Sequence, residues 1–425
     1  MPKWVCHLCQ RKHVTGMKHI VPILFMVLSS TMVSCIQKKE TAEGNAKSDL
    51  VYINKSIKNG SNLNYEITGD GTVNIFLAYD YQRESFNRAY DHWHFLLEAE
   101  AGSEITLVFH NFNEIYNGKQ IPFDTYIMDC ITSPDGKTWQ HVPVEWIEGN
   151  RMKVEVQMES DSLYVARVEP YRLSDLQNLY SQIEGNEKVK IIPIGKTVEG
   201  RALKIIQIGK DDAPHRIFIR ARAHAWESGG NWVIEGIIKS LLRDEAEIEK
   251  YLGNYAVYIL PMANMDGVAR GVSRFNLNGM DLNRNLTKPA DSLLAPENKA
   301  MEIWLEEMIA KGLKPDLAID FHNDSNGPLF FSSAGKSRKS YVDNMKVLEN
   351  LLRQYTWYSE GSSFFGSTSF EEGLMSRYGI EALVYELNAH WIASLEKKPL
   401  SEDWVLLGEQ LCLVFEKYFK VVNEE

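Results

Sequence analysis

Three apolar runs in this chain each stop at a residue able to bind a metal or move a proton, and no other feature constrains the fold as much. Arg216-Ile217-Phe218-Ile219-Arg220 is a β-rich run followed closely by His224-Ala225-Trp226-Glu227. A stretch with Val233, Ile234, Ile237, Ile238, Leu241 and Leu242 comes next, and its spacing predicts an amphipathic helix. Asp316-Leu317-Ala318-Ile319-Asp320-Phe321 ends at His322, and Ile380-Glu381-Ala382-Leu383-Val384-Tyr385 ends at Glu386. Buried strands alternating with helices predict an α/β fold, and in open α/β sheets sites gather at the carboxyl ends of strands. All three segments put their reactive residue there.

At the start of the helix after Arg220, His224 and Glu227 are three residues apart, so one imidazole and one carboxylate can reach a single ion. His322 is the candidate third ligand. A catalytic zinc site keeps three protein ligands and leaves its fourth place to water, and Glu386 is the candidate base for that water. Each signal alone has a plainer reading: two solvated side chains for H-x-x-E, a satisfied histidine for His322, a cap or surface carboxylate for Glu386. Their conjunction is what points to a site. Downstream of Asn264-Met265-Asp266-Gly267, Arg274 and the run Asp281-Leu282-Asn283-Arg284-Asn285 gather cationic and amide donors in a short irregular stretch. A guanidinium beside an amide either braces a loop or recognises a carboxylate, as a group that grips a peptide's C-terminus must.

With these residues in place, the chain resembles the zinc metallocarboxypeptidases, most closely the cytosolic-carboxypeptidase branch and its bacterial relatives, over roughly Leu173 to Phe419. The resemblance implies a mixed, doubly wound sheet with helices on both faces, preceded by an antiparallel β-sandwich domain. It implies one zinc ion per chain, held by His224, Glu227 and His322. It also implies Glu386 as general base, Arg274 as the arginine that polarises the scissile carbonyl, and Asn283 and Arg284 as anchors for the substrate's terminal carboxylate. The residue about fifteen positions before the base floors the side-chain pocket of such enzymes, and here that count lands on Glu371. A carboxylate there favours C-terminal Lys or Arg, or the amine end of a diaminopimelate residue, over Glu. The chain departs from the pattern twice. Ser363-Phe364-Phe365-Gly366 stands where many members carry a tyrosine, and Met265 replaces a usual proline, which is expected to loosen that loop.

The activity so implied is removal of the C-terminal residue of a peptide. A peptidoglycan-derived peptide is an alternative substrate, and deacylation of N-acyl amino acids is an alternative reaction on the same ligand set. From a different class, a non-catalytic peptide- or glycan-binding lipoprotein also fits the leader. The net charge of −11 gives no electrostatic case for nucleic acid.

Lys18 and His19 precede an apolar run from Ile20 to Val33 that suits a signal-peptide core, and Met32-Val33-Ser34-Cys35 resembles a bacterial lipobox. The expected organisation is a leader over 1–35, with Met17 as an alternative true start, a polar tether over 36–50, a β-sandwich over 51–170 and a catalytic domain over 171–425. Lipidation of Cys35 would anchor the protein to a membrane at the periplasmic side of the bacterial cell envelope or the cell surface. Beyond the leader only Cys130 and Cys412 remain, and they are expected to be two buried thiols in different domains rather than a disulfide. Alternating runs such as Ile105-Leu107-Phe109 and Met152-Val154-Val156-Met158, with turns at Asn59-Gly60 and Ser133-Pro134-Asp135-Gly136, predict antiparallel strands. His92-Trp93-His94 admits a metal or glycan reading, against a half-exposed strand with no third ligand near. Leu173 to Ile183 reads as a helix.

Overall fold

The computed structural model describes residues 51–122, 127 and 129–424. The expected leader, tether and Cys35 lie outside the described residues.

Short alternating strands build the first part of the chain. They are β1 (Tyr52–Asn54), β2 (Leu63–Ile67), β3 (Val73–Leu77), β4 (Asp80–Tyr81), β5 (Arg88–Ala89), β6 (His94–Glu98), β7 (Glu104–His110), β8 (Asn113–Tyr116), β9 (Lys119–Pro122), β10 (Asp129–Ser133), β11 (Gln140–Ile147), β12 (Arg151–Gln157) and β13 (Ser162–Ala166). Nine pair in the order β1-β6-β13-β10-β11-β12-β7-β3-β2, and β4-β5-β8-β9 form a second, small sheet. Pairing is antiparallel except between β3 and β7, where the expected all-antiparallel pattern gives way to a parallel pair. Ile53 at one edge of the ladder and Leu63 at the other share a core with Leu107, Val154 and Val165, so the ladder curls over itself. His92, Trp93 and His94 are buried there rather than half-exposed, and both histidine rings sit on the Asn59 carbonyl. Their alternation reflects core packing.

The second part holds an eight-stranded sheet, β14 (Val189–Lys196), β15 (Ala202–Ile208), β16 (His215–Ala221), β17 (Tyr255–Leu260), β18 (Leu317–Asp324), β19 (Leu329–Ser332), β20 (Ser362–Phe365) and β21 (Glu381–Asn388), in the order β14-β15-β17-β16-β18-β21-β19-β20. The central pairs β17–β16, β16–β18 and β18–β21 are parallel and the β14, β15 and β19 ladders bring in antiparallel neighbours, which makes the sheet mixed. The helices are α1 (Leu173–Ile183), α2 (Gly229–Leu241), α3 (Ala246–Asn254), α4 (Met265–Arg270), α5 (Pro296–Ala310), α6 (Lys339–Tyr355), α7 (Phe370–Tyr378) and α8 (Ser401–Glu424).

Period-two alternation assigns the two faces. Ile217, Ile219, Ile319, Phe321, Leu383 and Tyr385 pack in one core with α2, α6 and α8, while Phe218, Ala318, Ala382 and Val384 pack in another with α5 and α7. Burying a side chain such as Ile219, which is fully covered, contributes about 1.5–3 kcal/mol relative to leaving it in water. Arg220, Asp320, His322 and Glu386 continue the second alternation, so four polar side chains share the α5/α7 face near the strand ends. Among the described residues no helix is long and apolar enough to cross a membrane. Cys130 and Cys412 are buried and, among the described residues, form no disulfide, as expected.

Candidate metal centre and active site

His224 and Glu227 stand in the turn between β16 and α2, not in the first turn of the helix as the spacing suggested. The turn is shaped by Arg222, whose backbone is in the left-handed region at φ 61°. Such a conformation in a non-glycine residue persists only where its surroundings impose it. Here the Arg222 side chain supplies that constraint, donating from Nε to the Ala225 carbonyl at 2.7 Å and from Nη1 to Asn231 Oδ1 at 3.0 Å. Burial pushes its pKa down to about 9.

His322 is the sixth residue of β18, and the parallel register sets it directly opposite Glu386 on β21. The sheet thus brings His322 to the turn. His224 Nδ1 lies 2.8 Å from Glu227 Oε1, His322 Nδ1 lies 2.7 Å from Glu227 Oε2, and the two Nδ1 atoms are 3.2 Å apart. One donor atom from each of the three buried residues falls within 4.8 Å of the others.

The far nitrogens are occupied as well. His224 Nε2 meets Asp281 Oδ1 at 3.0 Å and His322 Nε2 meets Asp320 Oδ2 at 2.7 Å. Carboxylates behind imidazoles fix the tautomer and aim the other nitrogen forward, as zinc-ligating histidines require. The residues therefore fit a zinc ion: two imidazoles and one carboxylate converge, and each imidazole is oriented from behind.

The supporting carboxylates are themselves tied down. Arg220, fully buried, pairs with Asp320 through Nε at 2.9 Å and through Nη2, and donates from Nη1 to the Leu282 carbonyl at 3.2 Å. Arg274 donates from Nε to Asp281 Oδ2 at 2.8 Å. Desolvation opposes ionisation of Asp281, yet the charges of Arg274 and His224 hold its pKa well below the usual carboxylate range. Asp281, Asp320 and Arg220 were not singled out from sequence. Their signal was present: Arg220 and Asp320 are charges inside apolar strands, and Asp281 opens the Asp281-Leu282-Asn283-Arg284 run.

Asn264 caps α4 by accepting the Gly267 N–H at 2.9 Å, and its Nδ2 reaches the Arg274 and Phe275 carbonyls at 3.2 and 3.1 Å. Met265 is the first residue of that helix and Asp266 beside it is bonded to Thr197 and the Glu199 N–H. The loosened loop expected from Met265 is therefore not found, because helix capping and Asp266 fix the segment that proline would have stiffened. Asn283 is buried, and its Oδ1 accepts from Arg220 Nη2 at 3.3 Å and from the Phe370 N–H at 2.9 Å. That leaves its NH₂ as the group for a ligand. Arg284 is half-buried next to it and donates to the Asn283 carbonyl at 2.8 Å.

Glu386 is half-buried, and desolvation pushes its pKa well above the carboxylate range, with the Glu227 charge adding to the rise and that of His322 opposing it. Glu371, in the first turn of α7, is buried at 1% exposure. One of its oxygens accepts from the Ser369 hydroxyl and the other has no hydrogen-bond partner. Burial pushes its pKa up, and it lies close enough to Asp320 and His322 to feel both charges. Glu372 instead accepts from Ser332 Oγ and the Ala334 N–H, a structural role. Phe364 packs on Phe331 and Tyr341 at the sheet edge while Phe365 is exposed, and neither ring carries a hydroxyl.

Comparison with known proteins gives this geometry a family. The zinc carboxypeptidase family model matches residues 174–358. The chain carries a zinc carboxypeptidase domain. An uncharacterised protein of Zymomonas mobilis is 25% identical over 224 residues, 52% of this chain and 56% of that protein. Cytosolic carboxypeptidase 2 of Danio rerio is 26% identical over 201 residues, 44% of this chain and 27% of that protein. The chain thus spans about half or less of the length of these curated relatives. Among solved structures, a metallo-carboxypeptidase from Burkholderia cenocepacia superposes with a TM-score of 0.77 at 20% identity, covering 87% of this chain and 99% of that one, which establishes the shared fold. The family match includes His224, Glu227, Arg274, Asn283, Arg284 and His322 of the carboxypeptidase domain, while Glu371 and Glu386 lie beyond it.

Proposed function

We propose that this protein is a zinc metallocarboxypeptidase that hydrolyses the last peptide bond of a chain with a free C-terminus. The observation that carries the reading is the convergence of His224 Nδ1, His322 Nδ1 and the Glu227 carboxylate beside Glu386, which faces His322 in register. Zinc on these three residues supplies Lewis acidity to water and to the scissile carbonyl.

The chain's own groups divide the remaining work. Glu386 takes a proton from the attacking water and delivers it to the leaving amine as the C–N bond breaks. Arg274, oriented through Asp281, donates to the oxygen on which charge develops. Asn283 and Arg284 grip the terminal carboxylate and so convert a loose encounter into an oriented one. Glu371, a buried carboxylate with one unbonded oxygen, favours a cationic C-terminal side chain, including the amine of a peptidoglycan-derived diaminopimelate. Placement in the bacterial cell envelope through a lipid on Cys35 is part of the same proposal and rests on the leader motif.

The test is mass spectrometry of a diverse peptide pool incubated with the purified protein, with matched free and C-terminally amidated peptides. Amidation leaves the Asn283 and Arg284 donors unpaired, a loss of roughly 2–5 kcal/mol. Only the free peptides should shorten by one residue. Equal cleavage of both sets, or release of an acyl group in place of an amino acid, would remove the exopeptidase reading.

A further inference from the structure

The loop carrying Arg274 is held by the β-rich region as well as by the central sheet. Asp80, on β4, accepts through one oxygen from the backbone N–H groups of Arg274 at 2.8 Å and Phe275 at 2.9 Å, although Asp80 and Arg274 are 194 positions apart. Neighbouring contacts follow the same line. The Arg83 N–H donates to the Gly279 carbonyl at 2.6 Å, the His92 N–H to Ser273 Oγ at 3.2 Å, and Asn59 Nδ2 to the Val268 carbonyl at 2.9 Å.

The approach is close enough to require glycine at both ends of the loop. A Cβ on Gly271 would lie 1.9 Å from the Gly60 carbonyl oxygen, and one on Gly279 would lie 2.8 Å from the Arg83 nitrogen. Both glycines also have positive φ. The guanidinium of Arg274, meanwhile, is drawn to Asp281, which stands behind His224. One carboxylate holds the residue's backbone and another its side chain, and the first comes from outside the zinc carboxypeptidase match at 174–358.

We propose that Asp80 is a positioning residue: it fixes the backbone at Arg274 so that the guanidinium meets the developing oxyanion, and the β-rich region is thereby part of the active site. This rests on the role given to Arg274 above. Two backbone donors on a half-buried carboxylate fix the successive peptide groups of Arg274 and Phe275 more tightly than either bond alone, and a misplacement of ~1 Å at a catalytic group can lower rate by ~10²-fold.

A double-mutant cycle on the full chain decides it. Asp80→Ala should lower kcat/KM by about 10–100-fold, chiefly through kcat, with zinc content unchanged. In an Arg274→Ala background the same substitution should change kcat/KM by less than about twofold, because the group it positions is gone. Asp80→Asn keeps a carbonyl acceptor and should restore most of the activity. Effects that multiply in the double variant, or zinc lost in Asp80→Ala, would overturn the proposal.

Amide hydrogen exchange provides an arm independent of turnover. Residues 268–281 should exchange faster in Asp80→Ala than in the wild type, and unchanged protection there would sink the clamp even if activity fell. A wild-type chain that cleaves no peptide would instead overturn the reading of the site, and the exchange result would still decide whether Asp80 holds the loop.

Discussion

The floor of the site and its α7 wall treat buried carboxylates in opposite ways. On the floor, Asp281 is bonded to His224, Arg274 and the Asn283 N–H, and Asp320 to Arg220 and His322. On the wall, Glu371 has one hydroxyl on one oxygen and nothing on the other. An unpaired buried polar atom costs about 1–3 kcal/mol, more when charged, so a fold keeps one only where something else compensates. The difference separates framework from function. On the proposed reading, paired carboxylates aim ligands, and unpaired ones are set aside for water or substrate. Glu386 belongs with Glu371, since its carboxylate makes no hydrogen bond among the described residues.

The strongest challenge to this division is Glu386→Gln. If this unpaired carboxylate is the base, activity should fall on the order of 10²–10⁴-fold while zinc stays near one per chain. Wild-type turnover, or zinc lost with the carboxylate, would put Glu386 among the framework residues. His322→Ala should lose zinc and activity together.

On the paired side, Asp320→Ala should show the reverse pattern. It strips Arg220 of its partner in a fully buried site, which typically destabilises by about 3–5 kcal/mol, and loosening His322 should weaken zinc binding by about 10–100-fold. Thermal denaturation with zinc titration checks both. An Asp320→Ala protein as stable as wild type would show that the pairing is incidental.

Which parts were legible in the sequence follows from the range of the interactions. The α1 bounds and the strands carrying His322 and Glu386 came from local periodicity, which one chain displays, while the convergence of both with His224 and Glu227 was implied by the family resemblance. The turn that presents His224 and Glu227 did not, because Arg222 shapes it through a positive φ and a contact to Asn231 that no pattern announces. Arg220 and Asp320 pair across neighbouring strands one hundred positions apart. Asp80 is further still from the loop it holds. The interrupted antiparallel order at β3 and β7 is likewise a matter of chain path, not of alternation. Sequence pointed to the residues proposed to carry the chemistry, and Arg220 and Asp80 brace partners that lie far from them along the chain.

On the wall, Glu371 should set the preference for the departing residue. A matched series ending in Lys, Phe and Glu should be cleaved best at Lys, and Glu371→Arg should move the preference toward Glu, by about 1–3 kcal/mol of discrimination in each direction. Glu371→Gln should leave turnover of the Phe substrate within about threefold while lowering that of Lys. A wild-type preference for Glu, or one untouched by reversal at Glu371, would mean that the unpaired oxygen serves no substrate.

Asp80 stands between the two cases, one oxygen carrying two backbone N–H groups and the other bare, and it sharpens the comparison with the smallest effect. Burial pushes its pKa up to about 6, against the backbone bonds from Phe275 and Arg274, with the nearby Asp91 charge adding to the rise. Since the folded value exceeds that of the unfolded chain, this group's contribution to stability is fully present at low pH and is lost as pH rises through about 6. An asparagine keeps the acceptor and never ionises. The Tm difference between Asp80→Asn and wild type should therefore grow in favour of the variant from pH 4 to about pH 7, by no more than about 3 kcal/mol in stability, and then level off. A difference that stays flat across that window, or favours the wild type at neutral pH, would show that the bare oxygen is compensated after all and that Asp80 belongs with the paired carboxylates of the floor.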